Sequence, residues 1–187
     1  MKTLKFFLIP ALLLFLAACT EDVPTPADVP DGSAAIDVRA KESVTKPMKI
    51  WVEATIDYSV ARKPCDCDPP CGVTIPAKGW MRGHATHMGK LNRMESPWEH
   101  GTCDLAENKI VITGSHGIWT GANGDQIWWE GDYEVFFNGN FSADLDIVGG
   151  TGRYEGAVGN VRGDDGVTDP ETGYGSGTAQ GWVTVFK

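Results

Sequence analysis

From Pro47 to Val60 the side chains alternate between two faces. Ile50, Val52, Ala54, Ile56 and Tyr58 fall on one, and Trp51, Glu53, Thr55 and Asp57 on the other. A period of two is the mark of a half-buried strand, and no amphipathic helical stretch accompanies it. The pattern returns in Lys109 to Trp119, with Ile110, Ile112 and Ile118 on one side, and in Gln126 to Phe137, with Ile127, Trp129, Tyr133, Val135 and Phe137 together. It returns again in Asn140 to Val148, where Phe141, Ala143, Leu145 and Ile147 oppose Ser142, Asp144 and Asp146. Asn123-Gly124 and Asn138-Gly139 supply hairpin turns between these runs. Further strands are expected at Gly79 to Leu91, Arg93 to His100, about Gly156 to Arg162 and Ser176 to Phe186, with a long acidic loop between the last two. The expectation is an all-β, single antiparallel barrel of about eight strands, because closure removes both sheet edges. A sandwich is the alternative. At eight strands the interior either fills with side chains or holds one small ligand.

The N-terminus carries a different signal. Lys2 and Lys5 precede the apolar run Phe6 to Ala18, which is too short to span a bilayer comfortably and reads as a signal peptide. It ends in Leu16-Ala17-Ala18-Cys19, which resembles the bacterial lipobox. The expected organisation is a signal peptide over residues 1–18, a lipidated flexible tether over 19–46, and a barrel domain over 47–187. An ordinary signal peptide with a chance cysteine is the alternative. Two or more acyl chains on Cys19 would give a stable membrane anchor. Thr20 after the cysteine favours the outer membrane by analogy with known lipoproteins, and Glu21-Asp22 resembles acidic tags that send lipoproteins to the cell surface. The tether reading rests on Pro24, Pro26, Pro30 and Pro47 among acids and small residues.

Loss of Lys2 and Lys5 leaves 14 of the 16 basic residues against 25 acidic ones, a net charge of −11. Such a surface repels phosphate backbones, which excludes nucleic acid as a partner. Four cysteines remain besides Cys19: Cys65, Cys67, Cys71 and Cys103. An exported chain with an even number suggests two disulfides. Cys65 and Cys67 are too close to pair easily, so one of them is expected to meet Cys103, pinning the cysteine- and proline-rich loop Arg62 to Pro76 to the barrel. A zinc site of four thiolates is the rival reading. His84 and His87 look like a metal pair, but an offset of three on a strand sends them to opposite faces. No metal and no cofactor is expected. The candidate ligand contacts are Trp51, Glu53, His84, His116 and Trp128. Trp51, Glu53 and Asp57 share a face. Turned inward, their carboxylates would have raised pKa values and serve acid–base chemistry. Turned outward, they are ordinary solvated acids, and the apolar opposite face is the better core candidate.

Asp146-Ile147-Val148-Gly149-Gly150-Thr151-Gly152-Arg153-Tyr154-Glu155-Gly156-Ala157-Val158-Gly159 resembles a turn segment of allene oxide cyclase-like and dirigent-like barrels. Gly83 to Lys90 and Ala122 to Asp125 are similar to segments of bacterial secreted proteins that carry the same turn. The resemblance implies a small barrel, and self-association, since members of similar fold are often trimeric. It implies no catalytic residue, because none of the plant cyclase's can be placed here. In the turn motif of Gly149, Gly150, Gly152 and Arg153, two glycines permit backbone angles closed to other residues, and Arg153 can then fold back over the turn. No helix pattern or Gly-Lys-Ser/Thr follows, which rules against a phosphate loop. Three functions fit: a displayed barrel in a binding or structural role, which is the leading expectation; a cyclase or isomerase acting on a small apolar ligand in the barrel; and a module that binds a surface glycan or protein through exposed tryptophans.

Overall fold

The computed structural model describes residues 42–169 and 172–187. The expected signal peptide and all but the last residues of the expected tether lie outside the described residues. The described residues form twelve strands. These are β1 (Ser43–Ile56), β2 (Lys63–Pro64), β3 (Thr74–Ile75), β4 (Lys78–Ala85), β5 (Gly89–Leu91), β6 (Pro97–Glu99), β7 (Thr102–Leu105), β8 (Lys109–Thr120), β9 (Gln126–Phe136), β10 (Asn140–Gly150), β11 (Val158–Asp169) and β12 (Tyr174–Phe186). Two short 3-10 turns lie at Arg93–Glu95 and Gly152–Tyr154.

The order β1-β12-β11-β10-β9-β8-β6-β4 is closed by antiparallel pairing of β4 with β1. Eight strands therefore make a ring without a free edge, as the alternation implied. The short strands β5, β6 and β7 act as one interrupted strand between β4 and β8. β5 pairs β4, β6 pairs both, and β7 pairs β8. A long insertion, residues 57–77, carries the two-stranded ribbon β2–β3. Cys65–Cys103 ties this insertion to β7, and Cys67–Cys71 closes a small loop within it.

The structure moves several boundaries, each for a local reason. β1 begins at Ser43 rather than Pro47, because Ser43 to Lys46 pair with Val183 to Phe186 of β12. It stops at Ile56, so Tyr58 leaves the inner face and stands exposed, donating its hydroxyl hydrogen to the Thr172 carbonyl. Gly79 to Leu91 is two strands, divided by a turn in which His87 takes a φ of 69°. Ile118 does not share a face with Ile112. A bulge lies between Ile112 and Ser115, and Gly114 at φ 68° lets the chain shift phase. Ser115 and Trp119 thereby point inward. Phe137 falls just beyond β9 and is exposed. The acidic loop expected after Arg162 is mostly strand: β11 resumes past a bulge and pairs Val167, Thr168 and Asp169 with Ser176, Gly175 and Tyr174.

The core is the barrel interior. Met48, Ile50, Ile112, Trp119, Ile127, Trp129, Leu145, Ile147, Val161 and Val183 are each 4% exposed or less, and together they draw on six strands of the ring. Closing the 38-residue span between Cys65 and Cys103 restricts the unfolded chain by about 3–4 kcal/mol on loop-entropy grounds. The double substitution Cys65→Ser/Cys103→Ser is therefore expected to lower stability by about 2–4 kcal/mol in chemical denaturation. A change below ~1 kcal/mol would show that the bridge does not constrain the fold.

Candidate functional site

The interior is filled by aromatic rings. Trp119 and Trp129 stack with centroids 5.7 Å apart, Tyr133 meets Trp129 edge-on at 6.4 Å, and Phe141 follows at 6.2 Å from Tyr133. These neighbours are set by β8, β9 and β10, where each residue of the group faces inward on its strand. A more open cleft of about 690 Å³ has Tyr133 and Ala143 in its lining with Asp132, Glu134, Asp144 and Arg162, whereas the cavity among the inward-facing Ile50, Met81, Tyr133, Phe141, Leu145 and Ala179 is about 40 Å³. This inner cavity has room for a few waters and falls far short of a ligand pocket of about 300 Å³. Among the described residues Ser96, Ser115 and Thr120 are fully buried, and no carboxylate is.

One titratable ring joins this aromatic chain. His100 lies 4.6 Å from Trp98 and 5.3 Å from Tyr133, centroid to centroid, with Nδ1 2.9 Å from Ser115 Oγ. Burial lowers its pKa to about 4, helped by the positive charge of Lys63, and burial raises that of Tyr133. Both are neutral at physiological pH. In the sequence His100 is only the last residue of the strand expected over Arg93 to His100. Its inward position follows from the break between β6 and β7, which no periodicity displays.

The outer wall holds the sequence-derived candidates, in two groups. On β1 and β4, Trp51 faces His84 and Glu53 faces Arg82 across the seam. Trp51 is 45% exposed. Glu53 forms an ion pair with Arg82. A hydrogen bond from Tyr174 and the Arg82 guanidinium hold its carboxyl below the ordinary range. On the other side of Trp51 stands Thr178 of β12. The result is an indole platform bordered by an imidazole, an ion pair, a phenol and a hydroxyl. Glu53 and Asp57 thus belong to the solvated face, and the inward, acid–base reading of that face is not supported.

The second group lies on β8 and β9. His116 faces Glu130, and Trp128 faces Ile118, placing His116 and Trp128 diagonally. The Trp128 ring covers Gly149, and its indole N–H donates to Gln126 Oε1 at 3.3 Å, so this tryptophan is engaged in packing although 42% exposed. The structure does not bring the two groups together.

The glycine motif closes one end of the barrel. A side chain at Gly150 would lie 2.2 Å from the Gln126 carbonyl oxygen, and one at Gly152, where φ is 59°, would lie 2.0 Å from the Asp125 carboxylate. Gly149 gives way to the Trp128 ring. Arg153 turns back as expected and pairs with Asp125 of the β8–β9 hairpin, 3.1 Å from Nε to Oδ2. The four cysteines are consumed in disulfides, which displaces the zinc alternative. Among the described residues no group of three His, Cys, Asp or Glu side chains converges as metal ligands.

No family model and no curated protein sequence matches the chain. Solved structures similar in shape include two pterocarpan synthase dirigent proteins. One, GePTS1, is 9% identical, with 79% of this chain and 93% of that chain covered at a TM-score of 0.46. The other, PsPTS1, is 12% identical, with 78% and 96% covered at a TM-score of 0.42. The barrel assignment rests on the strand pairing itself.

The His100 environment has a measurable consequence. The unfolded chain takes up this proton near pH 6.5, the folded chain only near 4. Between these values the unfolded state binds more protons, so this contribution to stability is lost as pH falls from about 6.5 to 4, at up to ~1.4 kcal/mol per pH unit. His100→Asn should flatten that limb when denaturation midpoints are compared at pH 7, 5.5 and 4.5. An unchanged slope would place the titrating group elsewhere.

Proposed function

We propose that this chain is an outer-membrane lipoprotein, cut before Cys19 and acylated there, whose barrel serves in binding and recognises carbohydrate through the outer wall around Trp51. The filled interior carries this reading. The inner cavity of about 40 Å³ is too small for a ligand, which favours the outside and the ends of the barrel. A cyclase or isomerase would need a lined cavity of about 300 Å³ or more, so that alternative finds no support.

The chemistry around Trp51 favours a sugar over an apolar partner. A pyranose presents a flat C–H face that stacks on an indole, and equatorial hydroxyls that need donors and acceptors at its edge. Trp51 supplies the first, and Arg82, Glu53, Tyr174 and His84 surround it with the second. Cross-strand pairing fixes these groups before binding, which lowers the ordering cost. Trp182, 44% exposed beyond Pro47 on the same wall, extends the aromatic surface along β12.

Two outcomes are expected. Cys19→Ala should abolish incorporation of labelled palmitate and release the protein from the membrane fraction. Retained labelling would remove the lipoprotein reading. Second, the unacylated chain should bind neutral hexose-containing glycans on an array, and Trp51→Ala should weaken that binding at least tenfold, or about 1.4 kcal/mol. Glycan binding indifferent to Trp51 would move recognition off this face.

A further inference from the structure

We propose that the end of the barrel where the chain enters and leaves holds the phosphate headgroup of an anionic phospholipid. A pocket of about 400 Å³ opens there, well within the range of ligand sites. Lys46 reaches it from the inward-facing side of β1, Lys187 from just beyond β12, Arg153 from the 3-10 turn after β10, and His87 from the turn between β4 and β5. No acidic side chain lines it. In a mature chain with 25 acidic against 14 basic residues, this concentration of positive charge is contrary to composition.

The cations come from separate elements that pairing brings to one rim. Lys46 and Lys187 form no ion pair among the described residues, and Arg153 has Asp125 on one side only. His87 is held at its unusual φ of 69° with Nε2 3.1 Å from the Pro47 carbonyl oxygen. The remaining wall is apolar: Val183, Val185 and Phe186 of β12, with Tyr154. Tyr154 is 2% exposed, and its hydroxyl has no hydrogen-bond partner of ordinary geometry, while the Arg153 guanidinium lies 5.2 Å over its ring. Basic donors beside an apolar wall match a phosphate that bears an acyl chain. Lysine and arginine bind its oxygens by charge-assisted hydrogen bonds, and the chain lies against Val185 and Phe186.

The position of the pocket agrees with this ligand. The Lys187 amide donates to the Glu42 carbonyl at 2.9 Å, so the first and last described residues meet at this rim. The membrane-facing orientation of that rim rests on the lipoprotein reading, because a tether from Cys19 joins the barrel here. Phosphate binding by the pocket does not rest on it.

The test uses the unacylated chain, so that it stands whether or not Cys19 is modified. Co-sedimentation is measured with vesicles of phosphatidylcholine alone and with 30% phosphatidylglycerol. A net charge of −11 opposes any general attraction to the anionic bilayer, so binding confined to the phosphatidylglycerol vesicles reports the local site. Lys46→Ala/Lys187→Ala should weaken it at least tenfold, and the charge-matched Lys78→Ala/Lys109→Ala should not. Soluble dihexanoyl-phosphatidylglycerol is titrated in parallel. Binding of that lipid with no vesicle binding would keep the phosphate site and assign it to a free phosphorylated amphiphile. Binding to neither, or equal loss in both double variants, would overturn the proposal.

Discussion

Everything in this fold depends on one seam. Ile50 to Ala54 of β1 are hydrogen-bonded to β12 on one side and to β4 on the other, and the ring closes only through the second pairing. Without it β1 and β4 would be bare edges, ready to pair with other chains. The seam also joins distant parts of the sequence, since Ser43 pairs with Phe186. Such pairing must be reached against a large loop-closure entropy. The same register sets the outer wall, where Trp51 meets His84 and Glu53 meets Arg82. Closure and the candidate binding face are thus products of a single alignment.

Inside, size governs. An eight-stranded ring has room for side chains or for one small ligand, and here large rings take the space. Trp119 and Trp129 are each 1% exposed, and a glycine opposite Trp129 allows its fit: a side chain at Gly117 would lie 2.3 Å from the Trp129 ring. The indole N–H groups of Trp98, Trp119 and Trp129 are buried without a hydrogen-bond partner in the protein, a cost that the burial of so much aromatic surface offsets. His100 is accepted in this setting only as a neutral ring. A core assembled this way leaves only a small cavity among its rings.

Alternation made much of the ring legible. β1, β9 and β10 carry clean period-two patterns whose inward residues are the ones the structure buries, such as Ile50, Ile127, Trp129, Leu145 and Ile147. The pattern misled where a bulge changed its phase. Gly114 shifts β8 by one residue and sends Ile118 outward, and β11 continues beyond an irregularity through Asp164 and Asp165, which read as loop. Charge is no bar to a strand whose outer face is solvated. The disulfide linking Cys103 to the Cys65–Cys67 pair of positions was legible from spacing, but the choice of Cys65 was not. Of the candidate site, Trp51, Glu53 and His84 were each visible as residues. Their assembly was not, because Arg82 and Tyr174 arrive through cross-strand register, and register is a long-range property. The basic end pocket was hidden for the same reason. Its residues come from four separate elements and share no motif.

The meeting of Glu42 and Lys187 at one rim has a mechanical meaning. In a tethered protein, any drag on the barrel is borne by the first residues of β1. Ser43 to Lys46 are hydrogen-bonded to β12 alone, whereas from Ile50 onward β4 grips the strand as well. Force entering at Glu42 loads the outer bonds one after another, as in opening a zip. It meets a doubly held strand at Ile50. The first residues of β1 are thus the singly held part of the ring, and from Ile50 the strand is held on both sides.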